Sequence, residues 1–392
     1  MEFQGAEISD AEGSHEITTE EVDTENGLPS INGLTADNGL CSDNGLMSDN
    51  GLNADNGLMS DNGLSSVDGL MTTTAGRQTV SYLVKCALAT GTSLVKGSYT
   101  FAGQLGLAPE WKTGGCTTSC KETISACLMA HVNTSGNHYP LWLIGPQTAL
   151  GWGRSNAKPF IESAFFGNLF VSPPKAYYCN GPDYERVPVK GRIGAETSTT
   201  IFHNPYSGEG MCNDYCQGNS DGYTSCSNYA RPITVYRDLD TANSYTICEG
   251  ESTSSPSCLA ASTSTSSVLL ASPSSTSTSQ RWMFERFSTG TKEGQYRIKN
   301  VYTGKYMTVT STSEGTSIST ATGSTSSTGQ RWNLTEILLS TLGNGSFGIQ
   351  NNASARYIDD RSYSNGNAAI QIARPGSNWY VGQAWKLTLK TP

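Results

Sequence analysis

The sequence predicts a multidomain chain: an acidic N-terminal repeat segment, then a disulfide-rich α+β domain, then an all-β C-terminal domain. Three observations carry this prediction: a six-residue period near the N-terminus, a run of cysteines through the middle, and three Gln-x-Trp elements at near-equal spacing beyond residue 240. Length agrees, because 392 residues exceed what one hydrophobic core ordinarily organises. With 15% charged residues and 42 Gly, the composition suits loop-rich β structure better than helical bundles.

Residues 1–24 read as an acidic disordered tail, and residues 25–72 as a hexapeptide repeat of the form Asp-Asn-Gly-Leu-x-x. Leu28, Leu34, Leu40, Leu46, Leu52, Leu58, Leu64 and Leu70 keep the period throughout. Asn-Gly favours turns because both residues tolerate positive φ, and one Leu in six supplies little apolar area against chain entropy. That favours a flexible spacer. The alternative is a short β-solenoid with each Leu stacked inward, although eight hexads make fewer than the three coils that repeat stacks usually need. Residues 1–72 hold 15 Asp and Glu and no Lys or Arg, a charge of -15 that leaves +6 on the rest of a chain totalling -9. No Lys/Arg stripe with interleaved aromatics stands out in that basic remainder, so no nucleic-acid partner is expected.

Eleven cysteines point to an oxidising compartment. Cys86, Cys116, Cys120, Cys127, Cys179, Cys212, Cys216 and Cys226 form an even set suited to four bridges within residues 73–238, and their connectivity stays open. Cys248 and Cys258 follow as a close pair, and Cys41 is left over. In residues 74–90, Val80, Leu83, Val84, Ala87 and Leu88 recur at helical spacing before Gly91. Ser119 with Glu122 has the form of a capping box, opening a second helix to about Val132 with Cys120, Ile124, Cys127, Leu128 and His131 on one face. The runs YPLWLIG, FFGNLFVSPP and ARPITVYR read as strands and loops.

Several reactive constellations compete with bridges here. Cys116, Cys120, Cys127 and His131 have zinc-like ligand chemistry, yet neighbouring thiols in an oxidising compartment pair with each other, so no metal or cofactor is expected. Cys120 with His138 or His203, and Asn204 beside the latter, would make a nucleophile and base on paper, but the even cysteine count favours structure. Glu162, Asp183, Glu185, Glu209 and Asp214 are the acids from which a hydrolytic pair would be drawn, and none lies in a motif. The stretch from Asn213 to Gly222 lacks the spacing and closing Glu of a calcium loop.

The Gln-x-Trp elements are Gln280-Arg281-Trp282, Gln330-Arg331-Trp332 and Gln383-Ala384-Trp385, and they imply a threefold repeat over residues 241–392. Each follows a similar phrase, with QYRIKNVYTGKYMTVTS and SFGIQNNASARYIDDRS the best matched. This region resembles the ricin B-type β-trefoil lectins. The resemblance implies that Gln280, Gln330 and Gln383 buttress a trefoil core filled by Trp282, Trp332 and Trp385, that Asn300 and Asn351 precede turns, and that Tyr306 and Tyr357 open the next strands. It also implies a sugar site where a second-strand Asp accepts hydroxyl hydrogen bonds beside an aromatic ring. Ala260 and Thr308 stand at that Asp position in the first two repeats and Asp359 in the third, where Trp379 or Tyr380 supplies the ring and Gln371 and Asn378 donate. The Asn that relatives carry just before Gln-x-Trp is Gly382 here. Cys258 occupies a position that is cysteine in some relatives, and its expected partner is Cys248.

The expected function is extracellular binding of a glycan or polysaccharide. Two alternatives stand beside it: a secreted polysaccharide-active glycoside hydrolase with catalysis in residues 73–238, and a structural adhesin whose trefoil binds nothing small. The cysteine count makes a secreted or cell-surface protein the expectation; no apolar run reaches the length of a spanning helix and no basic-then-apolar leader opens this sequence, so either a signal peptide has been removed from it or export takes another route.

Overall fold

The computed structural model describes residues 28–32, 54–59, 64–67, 69–132, 139–155, 158–171, 174–184, 187, 210–219, 221–239, 243–250, 256–287, 295–337, 346–360, 365–374, 376 and 379–390. Two compact units are built, one from Met1–Ser155, Ala164–Cys179 and Arg192–Tyr236, the other from Asn156–Ser163, Asn180–Gly191 and Arg237–Pro392. No helix among the described residues is long and apolar enough to cross a membrane.

In the first unit, α1 (Thr74–Ala87) starts where the Thr73 hydroxyl accepts the Gly76 N–H at 2.9 Å. Its apolar stripe is the predicted one: Val80, Leu83, Val84, Ala87 and Leu88 are all buried. The helix ends ahead of Gly91, whose φ of +83° instead serves the turn into a hairpin of β1 (Ser93–Lys96) and β2 (Tyr99–Ala102). The second helix, α2 (Thr118–Ala130), begins earlier than its capping box implied. Thr117, in extended conformation, accepts from Cys120 N at 3.3 Å, so Ser119 lies inside the first turn. Threonine and serine cap alike, and chain direction at Thr117 decided between them. All the face from Cys120 to His131 is buried as expected, with Thr123 and Ser125 to Ala130 buried as well.

A five-stranded sheet collects β3 (Tyr139–Ile144), β4 (Phe160–Asn168), β5 (Lys175–Asn180), the short pair β6 (Cys216–Gly218) and β7 (Tyr223–Cys226) remaining separate, and β8 (Ile233–Arg237). Its order places Leu28–Asn32 at one edge, then β3, β8, β4 and β5. Leu28–Asn32 is therefore a strand, antiparallel to β3. Among the described residues of the later hexads, Leu58, Leu64 and Leu70 are buried at the six-residue period, Leu58 and Met59 donate to the Trp111 and Lys112 carbonyls, and Cys116 N reaches Ala54 O at 2.8 Å. A free spacer thus does not extend over Leu58, Leu64 and Leu70, which are buried, Leu58 being held as well by its backbone bond to Trp111. The acidic tail 1–24 and most of the other hexads lie outside the described residues, as do Cys41, His138, Glu185, His203, Asn204 and Glu209.

Four bridges staple the first unit's cysteines as Cys86–Cys127, Cys116–Cys120, Cys179–Cys212 and Cys216–Cys226. Cys248–Cys258 is the fifth, in the second unit.

The second unit is a trefoil of three four-strand repeats. The first has β9 (Ser244–Glu249), β10 (Cys258–Ala261), β11 (Val268–Ala271) and β12 (Trp282–Arg286); the second β13 (Tyr296–Asn300), β14 (Tyr306–Thr308), β15 (Ser319–Ala321) and β16 (Trp332–Ile337). The third has β17 (Ser346–Asn351), β18 (Tyr357–Asp359), β19 (Ile370–Ile372) and β20 (Trp385–Lys390). Each repeat's last strand pairs with the next repeat's first, and β20 closes the ring on β9. Alternation drives the burial: Tyr245, Ile247, Phe284, Tyr296, Ile298, Phe347, Ile349 and Leu387 point inward with the three Gln-x-Trp tryptophans, and Phe160 adds an edge-on ring to Phe347 at 5.2 Å.

Candidate functional site

The Gln-x-Trp residues build the scaffold. Trp282, Trp332 and Trp385 are fully buried and donate their indole N–H to the carbonyls of Leu259, Met307 and Ile358 at 2.8, 3.1 and 3.0 Å. Gln280 and Gln330 clamp the preceding loop, donating to Ser272 and Thr322 carbonyls at 2.7 and 2.8 Å while accepting from Ser274 and Ser324 backbone N–H at 2.8 and 2.7 Å. Gln383 donates to Ile372 and Ala373 carbonyls at 3.4 Å.

The third repeat is where the aromatic chemistry concentrates. Trp379 meets Tyr357 edge-on with centroids 4.8 Å apart, and the Arg374 guanidinium lies over the Trp379 ring at 4.6 Å. Gly348 makes room, since a Cβ there would come within 2.2 Å of the Trp379 ring. Tyr380 follows at the surface, 41% exposed. Counted back from Gln-x-Trp, the Trp379 position is Thr276 in the first repeat and Ser326 in the second, so only the third carries a ring.

The polar residues expected around that ring sit differently. Asp359 is fully buried, not a surface acceptor, because β18 turns its side chain toward Gly382, where a Cβ would lie 3.2 Å from its Oδ1. Gln371 is fully buried too, and its amide donates to the Ser311 and Ser313 carbonyls at 2.6 and 2.9 Å, tying β19 to a loop of the second repeat. Asn378 lies outside the described residues. Thr308, at the Asp position of the second repeat, is buried, and Ala260 of the first is buried likewise.

Sequence reasoning missed two groups. Arg374 belongs to no motif, and only its place over the ring marks it. Asp360 was visible in Tyr357-Ile-Asp-Asp, yet nothing local shows that burial, then Glu249 and Asp359, push its carboxyl up to about 8.

The other constellations resolve into structure. Glu162 is buried against Arg237 at 2.8 Å, and Asp183 is buried accepting Ile161 N at 2.8 Å, so neither presents a carboxylate to solvent. Asp214 is exposed on a single helical turn, Cys212–Tyr215. Cys116, Cys120 and Cys127 are bridged, which uses the thiols that either zinc or a Cys120 nucleophile would need. His131 packs its ring near Tyr82, centroids 5.5 Å apart, with Nδ1 2.7 Å from the Cys127 carbonyl.

A family model described as a ricin-type beta-trefoil lectin domain-like region matches residues 237–321 and 278–373. Among solved structures, the designed 3-fold symmetric protein ThreeFoil is 22% identical, covering 37% of this chain and 97% of that one at a TM-score of 0.30. A Polyporus squamosus lectin bound to a human-type influenza-binding epitope is 18% identical, covering 38% of this chain and half of that one at a TM-score of 0.30. A Macrolepiota procera ricin B-like lectin in complex with lactose is 13% identical, covering 38% and 98% at a TM-score of 0.31. No curated protein matches the chain.

Proposed function

We propose, from a C-terminal region that is a ricin-type β-trefoil lectin-like domain, that this protein binds carbohydrate outside the cell. The single observation that carries the site is the third repeat's Trp379, the one ring among Thr276, Ser326 and Trp379 at equivalent positions. A sugar offers an apolar C–H face to such a ring and hydroxyls to donors beside it. Trp379 and Tyr380 supply the apolar surface, Arg374 the charged donor, and Asn378, next in sequence, a further amide. Gln371 acts behind this surface by holding β19 through its bonds to the Ser311 and Ser313 carbonyls, and Asp359 lies buried beside it on β18. Glycan or polysaccharide is the partner class, and five disulfides support a secreted or cell-surface location.

A second reading, in which the trefoil is a docking module without a sugar pocket, is favoured by the burial of Asp359. Binding of the full chain to an immobilised glycan panel separates the two. Trp379→Ala is expected to weaken binding by about tenfold or more, the loss typical of a central aromatic contact, while Ser326→Ala leaves it unchanged. Wild type that binds no glycan, or Trp379→Ala that binds as wild type does, would rule out the sugar site.

A further inference from the structure

The three junctions of the trefoil are not chemically alike. In register, Trp282 faces Asn300, Trp332 faces Asn351 and Trp385 faces Glu249. Asn300 donates its side-chain amide to the Ser279 and Arg281 carbonyls at 2.8 and 3.2 Å, and Asn351 donates to the Gly329 and Arg331 carbonyls at 2.9 and 3.3 Å. Each amide thereby fastens the first strand of one repeat to the Gln-x-Trp segment of the repeat before it. The Glu249 side chain is a carboxyl with no N–H for the corresponding carbonyls of Gly382 and Ala384, and its Oε2 accepts Ser257 N at 2.9 Å. Among the described residues those carbonyls accept only backbone, Asp360 N to Gly382 O at 3.2 Å and Gly250 N to Ala384 O at 2.8 Å, bonds that the other junctions also make, as Val309 N to Gly329 O, Val301 N to Arg281 O and Asn352 N to Arg331 O, in addition to their amides. A carboxylate thus occupies the place of an amide at the junction that closes the ring.

Two more carboxyls converge there. Asp359 and Asp360 are 0% and 1% exposed, and a Cβ on Gly382 would stand 1.9 Å from Asp360 Oδ1 and 3.2 Å from Asp359 Oδ1. The glycine at 382 is what leaves room for the Asp360 carboxyl. Ala260 and Ala261, and Thr308 and Val309, occupy the same positions in the other repeats, so neither of the other junctions gathers acids.

We propose that the closing junction is a proton-held latch, in which the protonated Asp360 carboxyl hydrogen-bonds Glu249 and replaces the amide that fastens the other two junctions. Burial first, then the hydrogen bond and charge of Glu249, then the charge of Asp359, push Asp360 up from the ordinary carboxylate range to about 8. The charges acting on it are both acidic, Glu249 from β9 and Asp359 beside it; on β20, Lys386 stands in register with Cys248. The folded chain therefore holds a proton that the unfolded chain releases near the usual Asp value, about 3.9. Stability from the latch is full in acid, declines as pH rises from there, and is lost once pH passes about 8. The latch goes beyond carbohydrate binding and does not depend on it.

The test is amide hydrogen exchange of the full chain, corrected for intrinsic exchange rates, without glycan. Between pH 5 and pH 9 the protection of β9 and β20 should fall by about tenfold or more relative to the β12–β13 junction, since each unit of pKa shift is a factor of ten. Glu249→Asn, which restores the residue type of the other junctions, should remove most of that difference, and Asp360→Asn should do the same if the first variant folds poorly. Equal loss at all three junctions in wild type would overturn the latch. A response unchanged in both variants, or full rescue of wild type by millimolar calcium at pH 9, which would mark a cation site, would overturn it too.

Discussion

Trp332 donates its indole N–H to the carbonyl of Met307 at 3.1 Å, linking the start of β16 to the middle of β14 inside the second repeat. The bond recurs from Trp282 to Leu259 and from Trp385 to Ile358, so one sequence element repeated three times sets one geometry three times. Removing any of these rings empties the common core.

Trp332→Ala should accordingly destabilise the trefoil by about 3–5 kcal/mol, the usual cost of deleting a large buried aromatic. Urea unfolding followed by hydrogen exchange of the trefoil strands measures it. A loss below 1 kcal/mol, on the order of a surface substitution, would show that the ring is not a core support.

Asn351→Ala should leave the Gly329 and Arg331 carbonyls without their side-chain donor and cost about 1–3 kcal/mol, localised to the β16–β17 junction. Exchange of those strands is the readout, and a loss spread evenly over all three junctions would contradict the local role.

In the second unit, Glu162→Gln removes the carboxylate that pairs with buried Arg237 at 2.8 Å and should cost about 3–5 kcal/mol. Pairing it with Arg237→Met in a double-mutant cycle should recover much of the loss. Additive losses would show that the two side chains do not act together.

Leu64→Ala probes the repeat. Because Leu64 is buried, truncation should destabilise the first unit by about 2–5 kcal/mol and speed limited proteolysis there. Unchanged cleavage would return this hexad to the class of unpacked linkers.

Alkylation of the denatured, unreduced chain should label Cys41 and spare the ten bridged cysteines. Two or more labelled residues among the ten would contradict the pairing.

Much of this architecture is legible in the sequence because the signals are local and repeated. The Gln-x-Trp spacing, the Asn300 and Asn351 turns and the strands opening at Tyr306 and Tyr357 all depend on residues a few positions apart, and α1 shows its buried stripe through period alone. Tertiary structure decided the rest. Whether Asp359 faces solvent or Gly382, whether Leu58 and Leu64 meet water or the interior, and that Gln371 reaches the Ser311 loop depend on segments distant in sequence. The same holds for the acids: Glu249 and Asp360 are more than a hundred residues apart and each is ordinary alone, and only closure of the ring, by pairing β20 with β9, brings them to one junction.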